Sequence, residues 1–586
     1  MCGIIGYIGR DVKKNLIEGL ERLEYRGYDS SGLAILHNKN FYVEKAIGPV
    51  ENLKNKVKKN EFDGVGIAHT RWATHGKISI ENCHPHFSSD SDVALVHNGI
   101  IENFEELKAS LEKDGKYFYG QTDSEVVAKL LSKRLTINKL KNVIEKIRGS
   151  FAFAIISKFN KEIFFAKNKS PLYVAKGESC AMVASDPCCF VGKCDNFFVI
   201  EDGEYGKISL KSFEVYDKNG NMIEKIPQNL NFDYDVSNKE DYSHFMIKEI
   251  NESKKVLHNI IERYKTKEII DKLKTINLKK INRIYFIGCG TAYHAGLIAE
   301  RYFKERFKID IFTRKASEFL YEKDIVDEKT LCIFISQSGE TADTISALDE
   351  TSKFNSTSIA IVNTEYSTIA KRCDIMFPIC AGEEKAVAST KAYFGQCIVL
   401  FIIASYLNGE DYNKNLLDFE NKIDFGNNEE IKELAKFLYN KDKVFFIGRG
   451  FDYITALEAS LKLKEITYIF SYAECSGELK HGTLALIDKN VPVMVIANDE
   501  DCFNKTLNNA YEVKSRGGEL ILISSVEISN DIKDNFKYII KINECLNDLK
   551  PLQTIIILQK LAYFTAIKRD INPDKPRNLA KSVTVE

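Results

Sequence analysis

What the sequence lacks narrows its function first. It has almost no net charge, with 82 Lys and Arg against 83 Asp and Glu. A nucleic-acid or anionic-membrane binder shows a basic surplus or a basic stripe; neither is present, and neither partner is expected. Lys-rich runs such as Lys54 to Lys59 read as solvated helix surface. The longest strongly apolar run, Cys397 to Leu407, has eleven residues, far short of the ~20 that a membrane span needs. Met1-Cys2-Gly3-Ile4-Ile5 has neither the charged n-region nor the apolar stretch of a signal peptide. The fourteen cysteines include no CxxC pair and no repeated spacing, so they read as thiols of a reducing compartment. A soluble, cytoplasmic protein is expected. There is no GKS or GKT, which argues against a P-loop nucleotide site, and Trp72 is the single tryptophan.

What is present is enough for several cores. At ~150 residues per domain, 586 residues make three or four. The balance of 44% apolar to 28% charged residues is that of an ordinary globular protein. Two kinds of sequence meet near residue 235. Before it, short alternating stretches (Val65 to His69, Val93 to His97, Phe151 to Ser157, Ala181 to Ser185) predict mostly antiparallel sheet. Helices are predicted at Asp11 to Leu23, Phe104 to Leu111 and Asp123 to Leu131. The polar stretch Pro227 to Asp241 reads as a linker.

Beyond it the sequence repeats. Arg283-Ile-Tyr-Phe-Ile-Gly-Cys-Gly290 matches Lys443-Val-Phe-Phe-Ile-Gly-Arg-Gly450 at a shift of 160 residues. The same shift carries Leu331 to Ile335 onto Val491 to Val495, and the helix starting near Lys391 onto Pro551. It also carries Ile359 to Val362 onto Glu519 to Leu522, one residue out of phase. A βαβαβ-type unit is therefore used twice. Its ligand sites are expected at the carboxyl ends of parallel strands.

Cys2 becomes the first residue if Met1 is removed. The thiol of an amino-terminal residue then has a general base on its own backbone, an α-amino group with an unperturbed pKa of ~7.7–8. Tyr25-Arg-Gly-Tyr-Asp-Ser30, His69-Thr-Arg-Trp-Ala-Thr-His-Gly76, His84-Pro-His86, His97-Asn-Gly99 and Thr122-Asp123 are polar, Gly-rich segments at the ends of apolar runs, where a pocket lining would lie. Together with Cys2 they resemble the class II glutamine amidotransferases, over residues 2 to about 230. The resemblance implies an αββα glutaminase with an amino-terminal nucleophile. Cys2 is then the nucleophile toward L-glutamine, and Asn98 with the Gly99 N–H the oxyanion stabilisers. Arg71 grips the substrate α-carboxylate, Asp123 accepts from its α-ammonium, and Trp72, Thr74 and His75 complete the glutamine pocket. Arg26 supports the Cys2 loop. His69, His75, His84, His86 and His97 have no zinc-like spacing, and no metal is expected.

Ser336-Gln-Ser-Gly-Glu-Thr341 follows an apolar strand and opens a helix. Its hydroxyls, glycine and helix amino-terminus suit a phosphate dianion, although the same residues also make an ordinary helix cap. Gly288-Cys-Gly-Thr291 would face this loop, and Val387-Ala-Ser-Thr390 would form a third wall. The paired units resemble the sugar isomerase fold, from about 240 to 586. That implies two doubly wound parallel sheets and a sugar-phosphate site using Cys289, Gly290, Thr291, Ser336, Gln337, Ser338, Thr341, Val387, Ser389, Lys462 and Ala580. Ala292 stands where that family commonly has Ser.

In Leu461-Lys-Leu-Lys-Glu-Ile466, Lys462 and Glu465 share a helix face at i,i+3; spacing alone reads as a surface ion pair. The tail, Pro576-Arg-Asn-Leu-Ala-Lys-Ser-Val-Thr-Val-Glu586, alone reads as a frayed terminus. Both segments, with Gly477-Glu-Leu-Lys-His-Gly482, resemble the glucosamine 6-phosphate synthase family. The resemblance makes Glu465 the base moving a proton between C1 and C2 of fructose 6-phosphate, and Lys462 its assistant at the sugar oxygens. His481 opens the sugar ring, reaching the partner subunit's site in an expected homodimer. Lys581 forms a Schiff base with the C2 ketone, which demands a neutral amine, through a depressed pKa or a nearby base. No cofactor has a task in this scheme. The family usually has Pro at the position of Thr483. Trp72 becomes the gate of an ammonia passage. The implied domains are a glutaminase at 2–230, a linker at 231–242, sugar isomerase units at 243–425 and 426–571, and a catalytic tail at 572–586. The rivals are another class II amidotransferase, which needs a different second half, and a non-catalytic phosphosugar sensor, which needs no Cys2, Glu465, His481 and Lys581 together.

Overall fold

The computed structural model describes residues 2–58, 62–73, 75–131, 135–229 and 239–583. The chain divides into two compact units, one of residues 1–238 with 582–586 and one over Lys239–Lys581.

Two antiparallel sheets form the first unit. In the eight-stranded sheet, Gly3–Gly9 lies between Gly64–Arg71 and Ala181–Ala184. The seven-stranded sheet places Val93–Ile101, Gly149–Ser157 and Asn160–Asn168 side by side. Ile4, Ile8, Val65 and Ile67 of the one meet Val96, Ala154, Ile156 and Phe165 of the other in a shared core. Helix Val12–Leu23 covers the outer face of the first sheet. There Val12 and Leu16 come within 2.8 Å of where a Cβ on Gly66 would stand, so the contact needs glycine. Helices Asp123–Leu130 and Ile137–Ile144 cover the second through Val127, Leu140 and Val143, against Phe151 and Phe153. The result is an αββα sandwich. Alternation in these strands sorts residues between two cores, not between core and water: Ala94 and Val96 face the inter-sheet core, Val93 and Leu95 the helices.

One detail differs from the sequence reading and one agrees with it. Gln228–Asn229, within the stretch read as linker, pairs with Asn196 and Phe197 as an edge strand; residues 230–238 lie outside the described ones. The Lys54 region is a short helix, Val50–Lys56, whose Lys54 pairs with Glu21 at 2.8 Å.

The second unit contains two five-stranded parallel sheets of one order. The first runs Asp310–Lys315, Arg283–Gly288, Thr330–Ser336, Thr357–Val362, Ile375–Pro378. The second runs Phe470–Cys475, Lys443–Gly448, Pro492–Ile496, Glu519–Ser524, Tyr538–Lys541. The order 2-1-3-4-5 is doubly wound, with its switch point beside the first strand. A shift of 160 relates the first two strands of each sheet, and it grows to 162 by the fourth, Thr357 to Glu519, which is why that match falls out of phase. Helices Thr291–Arg306 and Phe451–Thr467 pack together in one core spanning both repeats, through Ala295, Tyr302, Ala459 and Leu463. The apolar run near Cys397 belongs to helix Lys391–Leu407, buried in that core. Among the described residues no helix is long and apolar enough to cross a membrane.

Candidate active sites

In the first unit, Cys2 directly precedes strand Gly3–Gly9, so the sheet fixes its place. The Trp72 N–H donates to Cys2 Sγ at 3.3 Å, and the thiol lies 3.5 Å from the Trp72 carbonyl. Burial pushes the thiol up, against the pull of that N–H and of Arg71. Asn98 Nδ2 donates to the Cys2 carbonyl at 2.9 Å. Its Oδ1 lies 3.1 Å from His69 Nε2, which also meets the His97 carbonyl at 2.9 Å. Two acceptors at one ring nitrogen require the proton there, so His69 orients the Asn98 amide with its NH₂ toward Cys2. Gly99 has φ +126°, and a Cβ there would stand 2.1 Å from the Ser150 carbonyl oxygen. Only glycine lets the strand pass the Ser150 backbone at this point.

Asp123 opens helix Asp123–Leu130. Its carboxylate accepts from the Ile101 N–H at 2.8 Å and the Ser124 N–H at 2.8 Å, which pins the helix start to the end of the Asn98 strand. Arg71 is buried and donates to the His75 and Lys77 carbonyls, shaping the loop after Trp72. His75 packs edge-on to Phe104 and Trp72 edge-on to Tyr28, at 5.4 and 5.7 Å between ring centres. Thr74 lies outside the described residues. Arg26 lies on the turn Glu24–Arg26 that follows helix Val12–Leu23. It is buried and bonds Asp186 at 2.9 Å and the Tyr25 hydroxyl at 3.0 Å. The adjacent Ser185 hydroxyl accepts from the Ile4 N–H, two residues after Cys2.

The structure gathers four histidines that the sequence scattered. His69 stacks on His84 at 4.0 Å and His84 meets His86 at 4.6 Å. His97 Nδ1 pairs with Ser124, and His86 with Thr122. Burial lowers all four, His69 to about 3, so they are neutral at physiological pH. Among the described residues, no three His, Cys, Asp or Glu side chains are grouped to hold a metal ion.

In the second unit, Ser336 ends its strand and Thr341 precedes helix Ala342–Ser352, with the two hydroxyls 3.0 Å apart. Ser336 Oγ accepts from the Gly339 N–H at 3.0 Å. Gly339 has φ +66°, and a Cβ there would stand 1.9 Å from Ser367 Oγ. Ser338 accepts from the Glu340 N–H, leaving Gln337 and Ser338 half-buried on the loop. Gly290 precedes helix Thr291–Arg306, and Cys289 Sγ lies 3.9 Å from Thr344 Oγ1, so this turn does face the Ser336 loop. Ala292 donates its N–H back to the Cys289 carbonyl, closing the turn with no side-chain hydroxyl.

Lys462 and Glu465 are not a surface pair. Lys462 is 1% exposed, with its ammonium 2.6 Å from Glu465 and 3.5 Å from Glu458. It also donates to Thr291 Oγ1 at 3.0 Å, joining the second repeat to the first. Burial opposes its charge, but the carboxylates of Glu465 and Glu458 outweigh that and hold Lys462 up. Nor is the tail frayed at Lys581, whose buried ammonium pairs with Glu384. Glu384 also accepts from the Ser389 hydroxyl and from the Thr390 and Ala392 N–H groups. Val387 is buried, its N–H held by the Asp574 carbonyl, and Ala580 is half-buried beside Lys581. His481 is exposed on the single turn Leu479–His481, and no hydrogen bond or ion pair joins it to Lys462 or Glu465. Thr483 bonds Glu474 at 3.2 Å.

Sequence reading missed Glu458 and Glu384. Glu458 is fully buried and takes Thr291 and His294 at 3.1 and 2.7 Å. Glu383-Glu384-Lys385 reads as a charged surface turn. The usable signal was the position of Glu384, just ahead of the amino-terminus of helix Lys391–Leu407, where a carboxylate meets free N–H groups.

Residues 69–191 match the family described as a glutamine amidotransferase domain, and residues 277–405 and 437–563 each match an SIS domain. The chain is 40% identical to the glutamine–fructose-6-phosphate aminotransferase (isomerizing) of Fusobacterium nucleatum, over all of both chains. It is 41% identical, again over all of both, to the enzyme of that name from Caldanaerobacter subterraneus. The chain belongs to the glutamine–fructose-6-phosphate aminotransferase family. It is an enzyme with one glutamine amidotransferase domain and two sugar isomerase domains. The solved carboxyl-terminal domain of the Francisella tularensis aminotransferase overlays 58% of this chain and all of that one, at a TM-score of 0.52 and 32% identity.

Proposed function

We propose that this chain converts D-fructose 6-phosphate and L-glutamine into D-glucosamine 6-phosphate and L-glutamate in the cytoplasm, as the entry step to amino sugar synthesis. Removal of Met1 frees the Cys2 amine to take the thiol's proton. The sulfur attacks the side-chain amide of glutamine, ammonia leaves, and water releases glutamate from the thioester. Asn98, held by His69, and the Gly99 N–H steady the oxyanion, an interaction typically worth about 3–4 kcal/mol. Arg71, Asp123, Trp72, Thr74 and His75 receive the amino-acid end of glutamine.

The Ser336–Thr341 loop, with Cys289, Gly290 and Thr291, holds the sugar phosphate, and His481 opens the ring from the partner subunit of a homodimer. Lys581 attacks C2 and ammonia then displaces it. Glu465 moves a proton from C1 to C2, and Lys462, charged through neutral pH, steadies the sugar oxygens. Trp72 gates the ammonia. The observation carrying this reading is the buried Lys462 with Glu465 beside the Thr291 turn, in a chain with a second buried lysine at Lys581. A phosphosugar sensor has no use for two buried lysines against carboxylates. Incubation with glutamine and fructose 6-phosphate should yield glutamate and glucosamine 6-phosphate together. Sugar-phosphate binding with neither product would favour the sensor.

A further inference from the structure

Three segments of the second unit meet around Lys581. Asp574 of the tail accepts from the Phe245 and Met246 N–H groups at 2.9 and 2.8 Å, holding the start of helix Phe245–Asn251. Its carbonyl takes the Val387 N–H at 3.1 Å, tying in the loop before Lys391. Glu249, from that helix, accepts from the Lys385 and Ala386 N–H groups, next to Glu384. Its other carboxyl oxygen is buried with no partner. Glu249 is 2% exposed and Glu384 is 4% exposed.

Two carboxyl groups thus share a dry site with the Lys581 ammonium. The charges around Glu249 are Glu384 and Lys385 on the loop, Lys581 and Asp574 on the tail, and Lys391, whose ammonium is drawn 2.7 Å from Glu252. Like charges in a water-poor site do not both persist; one carboxyl keeps a proton. Burial, followed by the Glu384 charge, pushes Glu249 up to about 8, whereas the Lys581 ammonium and the N–H groups of Ala392 and Thr390 hold Glu384 low despite its burial. At neutral pH Glu249 is the acid and Glu384 the anion.

We propose that Glu384 and Glu249 form a proton store for Lys581, taking the proton it sheds as it attacks the sugar and returning one to the departing hydroxyl. This rests on the reading of Lys581 given under Proposed function. The Lys581 N–H bond breaks and its proton goes to Glu384. The freed electron pair bonds C2 while the C2=O pair moves to oxygen, which takes a proton from the same nitrogen. When the C2–O bond breaks, the stored proton leaves with the hydroxyl as water. The nitrogen pair closes the iminium, and the pair regains its single negative charge beside the new cation. Glu384 touches the reacting nitrogen and is catalytic; Glu249 acts through it and is a positioning residue.

Borohydride trapping with fructose 6-phosphate and no glutamine isolates this step. In the full-length protein, labelling of Lys581 should fall on the alkaline side with a midpoint near pH 8, as Glu249 ionises and the pair loses its stored proton. Glu249→Gln, which cannot ionise, should lose that limb. Glu384→Gln should slow it about 100-fold or more, with partial recovery in Glu384→Asp. Infrared difference spectra of the unaltered protein should show a protonated carboxyl disappearing near pH 8, which needs no variant to fold. An alkaline limb that survives Glu249→Gln, full-rate labelling in Glu384→Gln, or no such carboxyl would each overturn the proton store. Absence of label on Lys581 in the unaltered protein would instead overturn the Schiff-base reading, and the store with it.

Discussion

In the proposed scheme Cys2 and Glu465 carry the two halves of the chemistry, and each is separable by substitution. Cys2→Ala removes the nucleophile in one unit and nothing in the other, so glutamate release should vanish while fructose 6-phosphate binding stays. Calorimetry of the variant checks this; loss of sugar binding in a folded sample would contradict the two-site scheme. Glu465→Gln keeps shape but not basicity, so kcat should fall about 10²–10⁴-fold with sugar affinity nearly unchanged. Trapping should still label Lys581 in that variant, because the Schiff base precedes proton transfer; label on Lys462 would reverse the two lysines. At this scale the sequence was legible in the segments that carry the amidotransferase resemblance, since the structure brings Trp72 and Asn98 of those segments to Cys2. It was not legible where burial decides. Lys462 and Glu465 have the spacing of a solvated pair, and only the packing of helix Phe451–Thr467 against Thr291–Arg306 removes Lys462 from water. Glu384 and Glu249 stayed hidden for the same reason, since a lone glutamate on a charged turn says nothing about its distant partner.

Elements set the loops, and here glycine and one ion pair matter most. Gly339→Ala would force a Cβ into Ser367 at a φ that favours glycine. Such strain costs about 1–3 kcal/mol, which should weaken fructose 6-phosphate binding roughly ten- to hundredfold if the loop yields. Fluorescence or calorimetric titration measures it, and unchanged affinity would mean that the loop does not hold the phosphate. Arg26 and Asp186 tie the turn after Leu23 to the segment that pins Ile4. Arg26→Ala leaves the half-buried Asp186 carboxylate with only the Tyr25 hydroxyl and the Cys188 N–H, and should cost about 3 kcal/mol at neutral pH. Asp186, despite burial, is held below its ordinary 3.8 by Arg26. A depressed carboxylate stabilises above its unfolded value and stops doing so as pH falls through the folded one. The deficit of Arg26→Ala should therefore shrink as pH drops below about 3.8, as urea unfolding at several pH values would show. The repeat was legible at this scale because buried parallel strands leave unbroken apolar runs. The sandwich strands gave less, since covering both sheet faces erases the contrast that alternation depends on.

For the whole molecule, the account requires that nitrogen freed in one unit reaches sugar in the other. Ammonia released to water near pH 7 is mostly protonated and lost as a nucleophile, so the two reactions must be coupled. Trp72 sits next to Arg71 in chain and gives its N–H to Cys2, which places it beside the nucleophile; its gating role follows from the family likeness alone. Trp72→Ala should leave glutamine hydrolysis measurable while less glucosamine 6-phosphate forms per glutamate, and a ratio that stays at one would remove the gate. The central claim is tested most directly by mass spectrometry of the products from amide-¹⁵N glutamine and fructose 6-phosphate in unlabelled ammonium buffer. The expected result is one ¹⁵N in each glucosamine 6-phosphate, with one glutamate released per sugar aminated; glutamate release with no labelled amino sugar would contradict the account.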